Sequence, residues 1–200
     1  AGGCGALLVE YDHLLKEEPE FREDAAWFAE RVKDVSELIV EHGRVPSFVK
    51  EEAEVSSKSD GSAADTTTQI PAASSCGGAH LCGMKERVTY QDSCHLRNVM
   101  KAGDAPRKLM QGVENVDFVE LVGADRCCGS AGIYNVTQPE MAGSILEHKM
   151  EHVEDTKAHV LLTSNPGCLL QMKLGIEKHR PSTPMKAMHI VDYLYERVKD

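Results

Sequence analysis

The chain has 200 residues, 42% of them apolar and 27% charged, with a formal net charge of −10 at pH 7. That length can bury the core of one domain or slightly more, the acidic balance argues against a nucleic-acid backbone as partner, and no apolar run reaches membrane-spanning length. The N-terminus lacks a basic region followed by an apolar stretch, so no secretory signal is expected, and the seven cysteines point to metal or redox use in a reducing compartment.

The chain opens on Ala1-Gly2-Gly3-Cys4-Gly5, and the missing initiator methionine points to a fragment or a processed piece. Over residues 6–16 the positions Leu7, Leu8, Tyr11, Leu14 and Leu15 fit one helical face. Pro19 and Glu20 open a second helix. Its apolar positions Phe21, Ala25, Phe28, Val32, Val35 and Ile39 step by threes and fours, with Gly43 as C-cap. Trp27 falls off that stripe and is expected to meet a second surface. From residue 45 to 84 the periodicity dissolves. Residues 56–75, rich in Ser, Ala, Asp and Thr with almost no large apolar residue, read as a flexible linker.

Beyond the linker, strands and helices alternate. A short strand over 87–91 leads to Cys94. Asp104 caps a helix with Pro106 in its first turn and Leu109, Met110 and Val113 turned inward. A second strand over 116–122 leads to Arg126-Cys127-Cys128-Gly129-Ser130-Ala131-Gly132. Thr137-Gln138-Pro139-Glu140 has the form of a capping box for a long helix that buries Ile145, Leu146, Met150 and Val153. His148 and His152, one turn apart, belong with Glu147, Lys149 and Glu151 to an exposed charged face rather than to a metal site. A third strand over 159–163 is broken by Asn165-Pro166-Gly167 before Cys168 opens a helix. Residues 186–189 form a fourth strand, followed by a helix through Ile190, Tyr193, Leu194 and Val198. This alternation predicts an α/β fold, a mainly parallel sheet with flanking helices.

The cysteines acquire meaning from that layout. Cys94, the Cys127-Cys128 pair and Cys168 each follow the C-terminal end of a predicted strand, where open α/β sheets build their sites. Neighbouring cysteines bridge each other only with strain, yet they can offer two thiolates to one metal centre. Cys168 begins a helix, whose positive end favours thiolate, and Arg126 is expected to offset part of the thiolate charge. Gly129 lets backbone amides come close to the site. The four thiols are therefore read as one ligand set; buried structural cysteines are the alternative.

An approximate internal repeat accompanies the site. Gly3-Cys4 before an apolar helix parallels Gly167-Cys168, and Val35-Ser36-Glu37-Leu38-Ile39 parallels Ile190-Val191-Asp192-Tyr193-Leu194. On this reading residues 1–45 are the C-terminal remnant of a first module, 46–85 a linker and 86–200 a complete second module. Cys4 is then a metal ligand left over from the first.

Cys94, Cys127-Cys128-Gly129 and Asn165-Pro166-Gly167-Cys168 together resemble the cysteine-rich CCG domain of heterodisulfide reductases, anaerobic glycerol-3-phosphate dehydrogenases and lactate-utilisation proteins. Tyr90-Gln91-Asp92-Ser93-Cys94-His95, Asp104-Ala105-Pro106-Arg107-Lys108-Leu109 and the run from Cys127 to Asn135 are most similar to the glycolate oxidase iron-sulfur subunit family. The resemblance implies an iron-sulfur cluster, of 4Fe-4S type, on Cys94, Cys127, Cys128 and Cys168. It also implies two tandem modules preceded by paired ferredoxin-type motifs, which this sequence lacks. Flavin-containing subunits that oxidise glycolate or a similar 2-hydroxy acid are the implied partners, in the cytoplasm or peripheral at the inner face of the cell membrane.

Two departures bear on the chemistry. Many family members have a further cysteine three positions after the one matched by Cys168, where this chain has Gln171; its amide can donate a hydrogen bond to a cluster sulfur. The linker is also long and carries Cys76 and Cys82 around His80, a pattern zinc could use but read here as spare thiols. Three functions follow: an electron-transfer subunit, a thiol–disulfide reductase of the heterodisulfide type, or a zinc-stabilised interaction module. From the linker reading, limited proteolysis is expected to cut first between residues 54 and 75 and leave a stable C-terminal piece; early cleavage within 138–157 would overturn the module boundary.

Overall fold

The computed structural model describes residues 2–43 and 85–197. In chain order its elements are α1 (Gly2–Leu8), α2 (Tyr11–Leu14), α3 (Arg22–Arg31), α4 (Val35–His42), β1 (Glu86–Gln91), α5 (Cys94–Asn98), α6 (Ala105–Gln111), β2 (Val116–Phe118), α7 (Tyr134–Thr137), α8 (Pro139–Asp155), β3 (Val160–Thr163), α9 (Pro166–His179), β4 (Lys186–His189) and α10 (Ile190–Tyr195). Among the described residues the strands make one all-parallel sheet in the order β2-β1-β3-β4. The α/β class expected from the alternation is therefore found. The linker expectation over 46–85, with Cys76, His80 and Cys82, lies outside the described residues apart from Lys85, which precedes β1.

The strands are short, β1 and β3 are the largely buried ones at the centre of the sheet, and their period of two sorts side chains into two cores. Val88, Tyr90, Val160 and Leu162 join Leu109, Met110 and Val113 of the α6 region and Ile190, Tyr193 and Leu194 of α10, with Ile39 and Val40 of α4 packed against them. Leu161 and Ala187 point the other way, onto Leu146, Met150 and Val153 of α8 and Cys168 and Met172 of α9. The order places β2 on one side of β1 and β3 on the other. The chain therefore reverses direction across the sheet at β1, and such a switch point opens a crevice beyond the strand ends. Among the described residues no helix is long and apolar enough to cross a membrane.

Several local expectations are corrected. The first helix is two, α1 and α2, separated by a turn at Val9 and Glu10. It packs through small residues instead of its leucines: Ala6 is buried, a Cβ on Gly5 would lie 2.6 Å from Met100 Sδ, and Leu7 and Leu14 are exposed. The second helix is also two. Asp34 has extended backbone (φ −73°, ψ 150°) and heads α4 in a capping box, its carboxylate accepting from Ser36 N at 2.9 Å while Glu37 accepts from Asp34 N at 2.8 Å. That cap outcompetes the continuous stripe, and Ala25 and Ala29 are the buried positions of α3 while Phe21, Phe28 and Val35 stay exposed. Trp27 is exposed and carries the Arg31 guanidinium 4.4 Å from its ring centre.

Farther on, β2 stops at Phe118 instead of 122 because the chain leaves the sheet edge after Val119 and drives Leu121 beneath α8. Asp104 precedes α6 but its backbone is already helical (φ −82°, ψ −24°), so its side chain makes no cap. Thr137 does not cap α8 either: its hydroxyl donates back to Ile133 O and Tyr134 O of α7, and Gln138 takes the N-cap position. Ile145 is half-buried, whereas Leu146, Met150 and Val153 are buried as expected. Removing the α4 cap with Asp34→Ala is expected to destabilise the protein by about 1 kcal/mol, read as a lower denaturation midpoint; an unchanged midpoint would mean that docking on α6 alone holds α4.

Candidate metal centre

Three loops reach the crevice, and each is held by a polar side chain bonded to backbone or to charge. After β1, the Asp92 carboxylate is 2% exposed and takes Arg97 Nη1 at 2.6 Å and Arg107 Nη1 at 2.8 Å. Arg107 continues to Glu120 at 2.6 Å and donates to Gly103 O at 2.8 Å. Burial opposes its charge, but the hydrogen bonds it donates to Glu120 and Asp92 win and raise its pKa further. This network fixes the turn through Ser93 that delivers Cys94 to the first residue of α5.

After β2, the chain crosses the sheet edge with its carbonyls turned inward. Gln91 Nε2 donates to Ala124 O at 2.9 Å and Arg126 O at 3.0 Å, and Asp92 N donates to Ala124 O at 3.2 Å. Lys149 Nζ donates to Gly123 O at 2.5 Å and Arg126 O at 3.0 Å. Beyond these anchors Cys127 and Cys128 sit in the crevice, and Gly129 N donates to Cys127 Sγ at 3.3 Å. Gly129 has φ +91°, and a Cβ there would lie 2.7 Å from Ala142 O and 3.2 Å from Gln171 Nε2. Only glycine fits that turn without strain.

After β3, Asn165 caps α9 by accepting from Gly167 N at 2.9 Å and Cys168 N at 3.3 Å, which leaves Cys168 in the first turn. A Cβ on Gly167 would sit 3.0 Å from Ser130 Oγ, so the two cysteine loops are in direct contact.

The four thiols then line up as neighbours, Cys94 beside Cys127, Cys127 beside Cys128 and Cys128 beside Cys168. Bonds donated by Cys128 and Cys94, with backbone amides of Gly129 and Ala131 assisting, hold Cys127 well below the ordinary thiol range. A bond from Cys128 lowers Cys168 likewise, against the cost of burial. Cys128 and Cys94 are pushed up by donating those bonds and by burial. The result is one all-sulfur donor set that shares its protons unevenly, chemistry suited to iron–sulfur or zinc ligation. Among the described residues no three His, Cys, Asp or Glu side chains converge on the point of a single ion.

The other expected site residues separate. Gln171 is buried beside the loop, its Oε1 accepting from Asn135 Nδ2 at 3.2 Å, which leaves Nε2 turned toward Gly129. Arg126 is exposed, its chain lying along Gly123. Lys149 is 3% exposed, contrary to the charged outer face expected for it. Burial lowers its pKa, and neighbouring groups, Asp125 among them, work against that shift. A signal for it was present: Ala142, Leu146, Lys149, Met150 and Val153 share one helical stripe. Glu147 and Glu151 are exposed, as is His148, which pairs with Glu151 at 3.1 Å while its ring meets that of His152. Cys4 is exposed on α1, outside the sulfur chain.

An all-parallel sheet with four thiols gathered beyond its strand ends defines a cysteine-rich α/β module. Residues 88–173 match the family model described as "Cysteine-rich domain", CCG. The chain belongs to this CCG family. It is 44% identical to the probable glycolate oxidase iron-sulfur subunit of Bacillus subtilis, over 98% of this chain and 37% of that protein. It is 30% identical to lactate utilization protein A of Lysinibacillus sphaericus (97% of this chain, 70% of that protein) and 29% identical to its namesake in Oceanobacillus iheyensis (97% and 66%). The chain thus spans little more than a third of the first relative and about two thirds of the others.

Gly129→Ala is expected to cost at least about 2 kcal/mol, since it combines a left-handed backbone penalty of about 1–2 kcal/mol with a backbone clash. Gly132→Ala carries the same backbone penalty (φ +70°) but meets nothing within 4 Å, so its loss of denaturation midpoint should be clearly smaller. Equal losses would refute the close approach at Ala142.

Proposed function

We propose that this chain is an iron-sulfur electron-transfer component of a complex that oxidises glycolate or a related 2-hydroxy acid, with Cys94, Cys127, Cys128 and Cys168 as the cluster ligands. The observation that carries the reading is the chain of four sulfurs drawn from three loops remote in sequence. A sulfur set strung out in this way, without convergence on a single-ion point among the described residues, suits a 4Fe-4S cluster more than one zinc ion. The names of the relatives, an iron-sulfur subunit and lactate utilization proteins, support the same choice.

A bound cluster supplies one-electron storage, and the residues determine how it is held and tuned. Gly129 N bonds to Cys127 Sγ, and Gln171 Nε2, turned toward Gly129, adds a side-chain donor on the same side; such bonds favour the reduced, more negative state and raise the potential. With glutamine at position 171, no fifth thiol is offered, which favours electron relay over disulfide reduction. Hydride chemistry then falls to a flavin-containing partner in the cytoplasm, or to a complex peripheral to the membrane. Residues 86–200 would be one complete module and 1–45 the tail of another, with Cys4 serving that other module.

Anaerobic purification followed by iron and sulfide analysis and EPR tests the reading. Serine at position 94, 127, 128 or 168 is expected to abolish or alter the cluster signal, whereas Cys76→Ser and Cys82→Ser leave iron content unchanged. Iron lost on changing Cys76 or Cys82 alone would remove the ligand assignment. A non-cubane spectrum or disulfide reduction by the unmodified protein would remove the relay.

A further inference from the structure

Among the described residues Lys149 stands out as the buried lysine or arginine, and the function above gives it nothing to do. Its ammonium reaches two carbonyls, Gly123 O and Arg126 O, and among the described residues no carboxylate pairs with it. Carrying a cation out of water for two carbonyl bonds alone is unfavourable, because those bonds replace only part of the lost hydration. The groups facing it are the sulfurs of Cys127 and Cys128 of the loop it binds, that of Cys168 across the crevice, and the Asp125 carboxylate.

We infer that Lys149 is the positioning residue and the charge counterpart of the thiolate centre: its bonds to Gly123 O and Arg126 O lock the loop that presents Cys127 and Cys128, and its charge raises the reduction potential of the group those thiolates hold. The inference rests on the cluster reading of the same site. Two parts of the geometry carry it. The carbonyls it binds bracket the three residues before Cys127, so the clamp acts on the loop that carries both adjacent thiols. Arg126, the cation next to those cysteines in sequence, is exposed and lies over Gly123. Its charge is screened by solvent, whereas that of Lys149 acts through the low-dielectric interior. A positive charge there stabilises the more negative, reduced state.

The two roles separate by substitution in the full chain. Lys149→Gln keeps hydrogen-bond donors without the charge; Lys149→Met removes both. With the cluster loaded, an EPR-monitored redox titration should find the potential of Lys149→Gln shifted to a more negative value, while Arg126→Gln matches the parent. In the iron-free protein, amide exchange at residues 123–128 should be faster in Lys149→Met than in the parent, with β1 and β3 unchanged. If the parent binds no iron, the cluster reading fails, and the exchange experiment still decides the clamp. Parental exchange in Lys149→Met would overturn the clamp. A parental potential in Lys149→Gln, or a shift in Arg126→Gln of equal size, would overturn the charge role.

Discussion

Three backbone carbonyls, those of Gly123, Ala124 and Arg126, face into the protein, and the site depends on how they are satisfied. Buried carbonyls need partners, and a loop crossing a sheet edge has no ladder to supply them. Gln91 from the end of β1 and Lys149 from α8 provide the donors. With the carbonyls anchored below, the amides that follow are free to face the sulfurs above, as Gly129 N does. The other two loops use the same device: Asp92 gathers two arginines under Cys94, and Asn165 caps the turn under Cys168. Polar side-chain anchors replace regular structure where the thiols must meet.

The electrostatics follow from that arrangement. Four neighbouring thiols cannot all ionise in a half-buried crevice without compensation, since like charges at short range disfavour one another. Without a bound group the chain relieves this by sharing protons along Cys94–Cys127–Cys128–Cys168. A metal centre relieves it by supplying positive charge, and the fixed ammonium of Lys149 relieves part of it in either condition. The buried cation and the backbone amides therefore work in the same direction, toward thiolate.

The sheet was legible in the sequence because its central strands are largely buried, and β-branched and leucine runs such as Val160-Leu161-Leu162 have few alternative placements. The strand-end cysteines were legible for the same reason. What escaped was set by competition between local and tertiary terms. The apolar stripe from Phe21 to Ile39 is real in sequence, but the Asp34-x-x-Glu37 cap interrupts it at the backbone. Arg126 was read as the site cation because it is adjacent in sequence, whereas Lys149 reaches the loop from a distant helix. Its charge concealed a position that the helical period places inside. The Asp92–Arg97–Arg107–Glu120 network could not be read at all, since its partners are brought together by the turn between β1 and α6.

The N-terminal helices bear on the site more directly than a linker between modules implies. α1 packs on α5, the helix that Cys94 opens. A Cβ on Gly3 would lie 3.5 Å from Asn165 Nδ2, beside the cap of the Cys168 helix, and one on Gly5 would meet Met100 just after α5. One short helix therefore touches the supports of two of the three cysteine loops. Its glycines are what permit that approach, since any larger residue at position 5 must displace Met100. α4 meanwhile packs on α6, and its Ile39 and Val40 close the core that includes Tyr90 and Leu162. Residues 2–43 thus pack against the supports of the Cys94 and Cys168 loops and against the core beneath the sheet.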